Sequence, residues 1–538
     1  MRTASTRPAA FACLLCLTGL FGMTGLLCSF APPARRIGQE LSVPHHLADD
    51  DEFKLPLRKL LQHGELLFRA NWTEQEGGGR PLTKGNGKSL SDPSRPLTGE
   101  RSFNRLSAPD ANSCYGCHNQ PFGIAGGGGD FAANVFVLGQ RFDFLTFDRA
   151  DQLPTSGAVD EDKRPVNMQE AGNTRSSPGI MGGGYIEMLA RQMTADLQTI
   201  RDSMARGETR KLTAKGVSFG SLSRNADGTW DTRKVEGLTR VSLAAPTPLT
   251  RPSLIIRPWH QASNVVSLRE FTNTAFNQHH GIQSTERFGV DSDPDGDGYA
   301  NELTRADVTA ISLFQAALAV PGRVIPRDPE IEKAVLNGEK VFARIGCASC
   351  HTPALPLNSN QDSKGWMYSE PNPFNPPLNL QPGTTQSITM DLNSPALPAP
   401  RLATDAVNPF VTWVPAYTDM RLHDISDPST PEEALDQNQT PWTVRFFEGN
   451  RRFLTKRLWG RANQPPYFHH GLFTTLRQAV LAHYGEALQT RTAFCSASEY
   501  DQDSLIEFLK TLQVLPPGTA SVIVDENYHA REWPPVSQ

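Results

Sequence analysis

Apolar residues recur at helical spacing in two parts of this chain of 538 residues. Residues 304–307 resemble a capping box and predict the start of one helix, whose apolar face is formed by Val308, Ile311, Phe314 and Leu318. A similar start at Thr475 predicts a second helix, with one face formed by Leu476, Ala479, Val480 and His483. An imidazole on an apolar face needs a partner, so His483 is either a satisfied core histidine or a ligand.

The loops and a weak repeat predict how the chain is organised. Gly-Glu-x-x-Phe occurs at 64–68 and again at 338–342, which suggests two parts that begin alike. Residues 74–112, rich in Gly, Ser and Pro, and residues 353–416, rich in Pro and Asn, predict long loops. The glycine run 126–129 predicts either a flexible connection or a wall close to a ligand.

Two copies of the pentad Cys-x-x-Cys-His carry the candidate chemistry, at residues 114–118 (the first pentad) and 347–351 (the second pentad). This pattern attaches c-type haem, because the thiols add to the haem vinyl groups and the imidazole binds the iron. The predicted attachment residues are Cys114, Cys117, Cys347 and Cys350. The predicted proximal iron ligands are His118 and His351. A zinc site of four thiolates is the alternative, but it leaves both histidines unexplained.

The N-terminus and the charge bear on the compartment. Arg2 and Arg7 precede an apolar run from Ala9 to Phe30, which predicts that residues 1–34 are a secretory signal peptide or a retained single-span anchor. Export to the periplasm agrees with covalent haem, and membrane contact is expected only through a retained anchor. The net charge of −5 gives no sign of the basic surface that is typical of nucleic-acid-binding proteins.

Several short motifs resemble the di-haem oxidoreductase family, which is related to the bacterial di-haem cytochrome c peroxidases. Residues 464–471 (QPPYFHHG) and 475–480 (TLRQAV) are similar to the PYFHDG and TLEEAV segments of those peroxidases. The segments that resemble the di-haem oxidoreductases themselves are 419–424 (DMRLHD), 173–178 (NTRSSP) and 186–187 (IE). The resemblance covers roughly residues 60–515.

This resemblance implies unequal haems. A Met after the TLEEAV segment is the distal ligand of the second haem in the peroxidases, and His483 holds that position here. A haem bound by His351 and His483 would be closed, lower in potential than a His/Met haem, and suited to storing an electron. A histidine that follows the first pentad in many peroxidases is missing. We therefore expect the first haem to be open, the alternative being a distant ligand among His260, His279 and His280.

The resemblance also implies roles for five side chains around the haems. Glu187 would be the acid–base residue, and Arg175 would stabilise charge on the leaving oxygen. Their alternatives are an ordinary glutamate near a helix N-terminus and an arginine that binds a haem propionate. Trp259 would relay electrons between the haems, unless it is a core tryptophan. His423 and His469 match motif histidines, which we expect to contact propionates or ligand residues rather than iron.

Residues 291–302 resemble a calcium-binding loop with glycine at its sixth position. The candidate ligands are Asp291, Asp293, Asp295, Asp297 and Glu302. A register that begins at Asp293 fits almost as well, and an acidic turn that caps the next helix is the alternative. Peroxidases of this type carry calcium between their haem lobes.

We therefore expect a mainly α fold of two cytochrome-c-like haem lobes with long loops and inserts. A signal peptide or anchor (1–34) would precede the first lobe (45–325), the second lobe (326–515) and a tail (516–538). The expected function is a periplasmic, peroxidase-like di-haem c-type oxidoreductase with two covalent haems c and a calcium ion. A small redox protein would supply electrons, and peroxide or another small oxidant would accept them. The alternatives are a pure electron-transfer di-haem cytochrome, or oxidation of a larger substrate as in the related methylamine-utilisation enzyme, which has Tyr in place of the distal Met.

Overall fold

Side-chain caps begin several of the helices, among them the caps formed by Ser267, Thr304, Asp328 and Ser498. The computed structural model describes residues 43, 45–78, 111–129, 131–135, 158–159, 165–166, 172–293, 297–359, 365–377, 379–429, 439 and 444–535. Its helices are Leu57–Arg69 (α1), Cys114–Cys117 (α2), Gly183–Asp202 (α3), Arg240–Leu243 (α4), Leu268–Ala275 (α5), Thr285–Phe288 (α6), Arg305–Ala317 (α7), Pro329–Arg344 (α8), Val444–Phe447 (α9), Leu476–Leu481 (α10), Leu488–Ser496 (α11) and Glu499–Lys510 (α12). Both helices predicted from capping boxes are confirmed as α7 and α10. Thr304 with Asp307 and Thr475 with Gln478 form the reciprocal caps.

The repeated Gly-Glu-x-x-Phe sequence marks two close helix crossings. A Cβ atom built on Gly64 of α1 would lie 2.1 Å from the carbonyl oxygen of Ala310 in α7. A Cβ atom on Gly338 of α8 would lie 2.0 Å from the carbonyl oxygen of Ser504 in α12. Only glycine lets the backbones approach this closely. The sequence repeat therefore reflects one packing device used twice.

Short strands lie between the helices. They are Phe131–Val135 (β1), Ala158–Val159 (β2), Pro165–Val166 (β3), Gly172–Ser176 (β4), Glu208–Ala214 (β5), Val217–Arg224 (β6), Trp230–Asp231 (β7), Gly322–Val324 (β8), Leu355–Asn358 (β9), Met367–Glu370 (β10), Ile388–Asp391 (β11), Val411–Val414 (β12), Leu422–Asp424 (β13), Arg452–Leu454 (β14), Leu512–Gln513 (β15) and Ile523–Val524 (β16). The antiparallel pairs are β1 with β4, β2 with β3, β9 with β12, β10 with β11 and β13 with β14. β5, β6 and β7 form a meander, and β8 lies between antiparallel β15 and parallel β16.

These strands show that the predicted fold class was wrong. Of the described residues, 33% are helical and 15% lie in strands, which is a mixed α/β fold rather than a mainly α one. The prediction followed the helices around the pentads and treated the stretches between them as loops. The supposed loop 353–416 contains four strands, β9 to β12. The β5–β6 hairpin arises from alternating burial over 208–214 that the sequence analysis did not weigh.

Residues 36–538 form one compact unit. The predicted boundary at 325/326 separates β8 from α8, and the predicted tail 516–538 returns to supply β16 beside β8. The predicted signal peptide or anchor (1–34) lies outside the described residues. Among the helices that the structure describes, none has the length and apolarity needed to cross a bilayer.

Candidate functional site

A cavity lies beside the second pentad. Its wall includes Cys347, Cys350, His351 and the distant His483. The cavity has a volume of about 230 Å³, counted as the space open to the centre of a water-sized sphere. One bound water needs only about 10–15 Å³ by the same measure. Side chains from α8, α10, α11 and α12 form an apolar wall of Phe342, Leu476, Val480, Phe494, Leu505 and Leu509. The space therefore suits a large, mainly apolar group rather than a few waters.

The imidazoles of His351 and His483 lie close together in the wall of this space. Their ring centroids are 6.4 Å apart and their planes are inclined by 66°, which is an edge contact between rings. Two imidazoles that share one metal ion, each at about 2.0 Å, have centroids about 6.3 Å apart. The observed separation would therefore also allow both rings to bind one iron.

Backbone carbonyls fix the tautomer of both rings. Nδ1 of His351 donates to the carbonyl oxygen of Tyr417 (3.1 Å), and Nδ1 of His483 donates to that of Ala479 (2.8 Å). Because a carbonyl only accepts, Nε2 carries the lone pair in both rings, as a metal ligand requires. Burial, together with the nearby His483, lowers the pKa of His351 to about 4, so the ring is neutral at pH 7.

A third histidine lies beside the second pentad, and carboxylates occupy both of its ring nitrogens, so neither nitrogen is available to a metal. On β13, His423 is hydrogen-bonded to Asp419 through Nε2 (2.8 Å) and to Glu486 through Nδ1 (2.7 Å). Burial disfavours the imidazolium, but Asp419 and the neighbouring Cys350 raise the pKa of His423 to about 10. Ligand atoms of Cys350, Asp419 and His423 lie within 4.8 Å of one another, and this is the one such group among the described residues. It contains a single pentad cysteine, so the four thiolates of the zinc alternative are not gathered together there.

The first four residues of the first pentad form α2, and the glycine run 126–129 packs against them. Nδ1 of His118 lies 3.3 Å from the carbonyl oxygen of Gly127, and the backbone of Pro178 is a second hydrogen-bond partner of this ring. Burial lowers the pKa of His118 to about 4. A Cβ atom on Gly129 would lie 1.6 Å from the carbonyl oxygen of Cys117. The run therefore packs against the backbone of the pentad, where only glycine fits, and its closeness to a bound group stays a prediction.

Two of the distant histidines named from the sequence lie near the first pentad. Nε2 of His280 is 3.4 Å from Sγ of Cys114, and its Nδ1 donates to the carbonyl oxygen of Ala111 (2.7 Å). The charge on His279 contributes to the lowered pKa of His118. A second nitrogen ligand for the first haem is therefore within the reach of this segment.

The predicted acid–base residue lies in a separate polar network. The Glu187 carboxylate is buried and accepts hydrogen bonds from Arg191, from the Asn372 amide (2.6 Å) and from the backbone NH of Leu268 (2.7 Å). The Tyr368 hydroxyl lies 3.4 Å away. The neighbouring Ile186 lines the cavity instead. Arg191, Asn372 and Tyr368 all lie at Oε1, and the Leu268 NH alone lies at Oε2. The acid–base role of Glu187 stays a prediction.

Arg175 and Trp259 are the other two residues that the family resemblance singles out. Arg175 lies in β4, opposite Ala132 of β1, and its side chain is outside the described residues. Trp259 is 3% exposed and lines the cavity together with His351 and His483. Trp259 also belongs to the main hydrophobic core, so the relay role stays a prediction.

Carboxylates of the predicted calcium loop accept hydrogen bonds from backbone NH groups. Asp293 accepts from the NH groups of Asp297 (3.1 Å) and Gly298 (3.0 Å). Glu302 is buried and accepts from the NH of Gln283 (2.8 Å). Asp291 bonds to the side chain of Asn301 (2.8 Å), and Asp295 lies outside the described residues. The calcium site remains a prediction.

Three basic residues in the cavity wall were not expected from the sequence. Lys456, Arg457 and Arg461 lie between β14 and the QPPYFHHG motif, and all three line the cavity. The signal was three basic residues within six positions, directly before a motif that had already been singled out.

Comparisons with known proteins do not place the chain in a family. No protein-family model matches it, and no curated protein matches it. A solved structure of hydrazine synthase from Kuenenia stuttgartiensis, pressurised with 20 bar xenon, aligns with 87% of this chain and 95% of its own. That alignment has 13% identity and a TM-score of 0.30, a similarity too low to show a common fold. The functional argument therefore rests on the residues of the site.

Proposed function

We propose that this protein is a periplasmic di-haem c-type oxidoreductase of peroxidase type. In this proposal the second pentad and His483 hold a closed, electron-storing haem, and the first pentad holds the haem that meets a small oxidant such as peroxide. A small redox protein supplies the electrons. The observation that carries the proposal is the 6.4 Å separation of the His351 and His483 rings across a cavity that the pentad thiols line.

The residues around the cavity suit the proposed cofactor. Cys347 and Cys350 lie in the cavity wall, where thioether bonds to a porphyrin edge would form. Two carbonyl acceptors orient the histidine pair, so little rearrangement is needed when iron binds. When bound, haem c supplies one-electron redox chemistry at an iron whose potential its axial ligands set. Two nitrogen ligands favour a low potential, which suits an electron store.

Peroxide reduction makes further demands on this chain. Conversion of hydrogen peroxide to two waters takes two electrons and two protons, which the donor protein and the solvent supply. His118, neutral and buried, offers a ring nitrogen on one side of the first site. Glu187 is engaged by Arg191 and Asn372, so the proton that enters the first site has another carrier in this proposal.

Electron paramagnetic resonance of the haem-loaded protein, with peroxide turnover on a reduced small cytochrome, tests the proposal. We expect a low-spin signal from the second site, a high-spin signal from the first site in the oxidised or half-reduced protein, and peroxide consumption. Absence of high-spin haem in both states, together with no peroxide consumption, would contradict the peroxidase assignment.

A second candidate function is electron transfer with both irons six-coordinate. The position of His280, 3.4 Å from Cys114 Sγ, favours it, because this segment supplies nitrogen ligands near the first pentad. Replacement of both His279 and His280 by Ala separates the candidates. A new high-spin signal in the double variant supports the electron carrier, and an unchanged signal supports the open first site.

A further inference from the structure

Four hydrogen-bond donors line one part of the cavity. Lys456 and Arg457 follow β14, and Arg461 comes shortly after them in the chain. The guanidinium of Arg457 lies over the ring of Trp259, with 4.9 Å between its central carbon and the ring centre. All four line the same cavity as His351.

Three of these side chains hold buried donor atoms without an acceptor among the described residues. These atoms are Nη1 of Arg457, Nη1 of Arg461 and Nε1 of Trp259. The other Nη atoms are satisfied, since Arg457 donates to the carbonyl oxygen of Gly179 (3.0 Å) and Arg461 to Oγ of Ser176 (2.7 Å). Buried donors are usually paired in native proteins, and an acceptor bound in the cavity would pair these three.

The charge of this group points the same way. Burial lowers the pKa of Arg457 and Arg461 to about 10. The pKa of Lys456 lies well below its usual value because burial desolvates the ammonium group and Arg461 and Arg457 repel it. Three basic groups this close together repel one another when charged, and an anion between them would relieve that repulsion.

The position of the group relates it to both pentads. Lys456 lines the cavity of the second pentad, and its charge also contributes to the lowered pKa of His118 in the first. An anion bound here therefore lies on the side of the second site that faces the first.

We propose that Lys456, Arg457, Arg461 and the Trp259 indole bind the two propionate carboxylates of the haem attached at the second pentad. This inference rests on the proposed function. Guanidinium groups pair with carboxylates through two parallel hydrogen bonds, and an indole NH donates one more. The propionate edge of the haem then faces the first pentad. Trp259 contacts that edge, which gives its predicted role in electron relay a physical basis.

The test compares Lys456→Gln and Arg457→Gln with Arg451→Gln, an exposed arginine nearby in the chain. The midpoint potential of the low-spin haem is measured between about pH 5 and pH 9 in each haem-loaded protein, where an ordinary carboxyl begins to titrate at the acid end. In the wild type, paired propionates stay ionised and the potential is constant. Loss of one buried cation lowers the ratio of reduced to oxidised haem about tenfold at a fixed ambient potential. The freed propionate then titrates, so the potential of these variants becomes pH-dependent.

Three results would contradict either the propionate inference or the proposed function, and they distinguish the two. Potentials of Lys456→Gln and Arg457→Gln equal to that of Arg451→Gln overturn the inference alone. A wild-type haem spectrum that shifts on titration with acetate or nitrate shows that the cations hold a free anion, which also overturns it. Wild-type protein from haem-competent cells that carries no covalent haem contradicts the proposed function itself. A retained low-spin signal in each variant shows that the site is still folded.

Discussion

At the residue scale, two backbone carbonyls prepare His351 and His483 for one metal. Each carbonyl accepts from Nδ1 and leaves the Nε2 lone pair as the available ligand. The two rings come from the pentad and from the turn after α10, which are more than a hundred residues apart in sequence. In the haem site that we propose, this pair would supply both nitrogen ligands and so set the potential.

Replacement of His483 by Met therefore raises the potential of the second haem. A thioether ligand stabilises ferrous iron relative to an imidazole, as in His/Met cytochromes. We expect a positive shift of the low-spin midpoint in a redox titration, and no shift for His529→Met, whose side chain is exposed. A His483→Met protein with the wild-type potential would show that residue 483 does not bind the iron.

Glu187 is expected to affect stability more than catalysis. Glu187→Gln removes the charge that pairs with Arg191 and leaves that cation buried, which costs about 3 kcal/mol of the free energy of unfolding. Chemical denaturation measures this loss, with the exposed pair mutant Glu330→Gln as control. Wild-type stability combined with a large loss of peroxide turnover would instead support the acid–base role inferred from the family resemblance.

Protonation of Asp307 is expected to lower the free energy of unfolding at acid pH. Burial would raise its pKa, but hydrogen bonds from His46 (2.7 Å) and His63 (2.9 Å) lower it to about 2, below the unfolded value of 3.8. Its contribution is therefore complete above pH 3.8 and is lost as the pH falls towards 2. The shift corresponds to about 2 kcal/mol. Asp307→Asn should flatten the fall of the denaturation midpoint in this window; an unchanged acid profile would contradict the assignment.

At the element scale, the two crossings made by α1 with α7 and by α8 with α12 support the two pentads. Phe68 follows Gly64 by one turn and packs 6.3 Å from the ring of His118. Phe342 holds the same place after Gly338 and lines the cavity of the second pentad. The glycine sets the approach of the helices, and the phenylalanine packs near the pentad.

Gly338→Val should disrupt the second site through this crossing. The new Cβ atom would meet the carbonyl oxygen of Ser504, so the helices must separate, at a cost of about 3 kcal/mol. Lys340→Val is the matched control, because this exposed position of α8 loses only about 0.5 kcal/mol of helix propensity. We expect a lower melting temperature and less haem at the second pentad in Gly338→Val alone. Equal melting temperatures for the two variants would refute the packing role.

At the scale of the whole molecule, local signals were predictable and long-range packing was not. The caps at Thr304 and Thr475 depend on residues three positions away, so the sequence was enough for them. The network of Glu187 depends on Asn372, 185 positions along the chain, and no spacing rule reports that contact. The mixed fold escaped prediction for the same reason, since short strands such as β8 are paired only by segments far away in sequence.

The most direct test of the central claim is the electron paramagnetic resonance spectrum of oxidised His483→Ala protein. The account predicts that one low-spin haem signal of the wild type is replaced by a high-spin signal, because the second haem loses its distal nitrogen. His529→Ala, at an exposed position, should keep the wild-type spectrum. A His483→Ala spectrum identical to that of the wild type would contradict the claim that His351 and His483 share one iron.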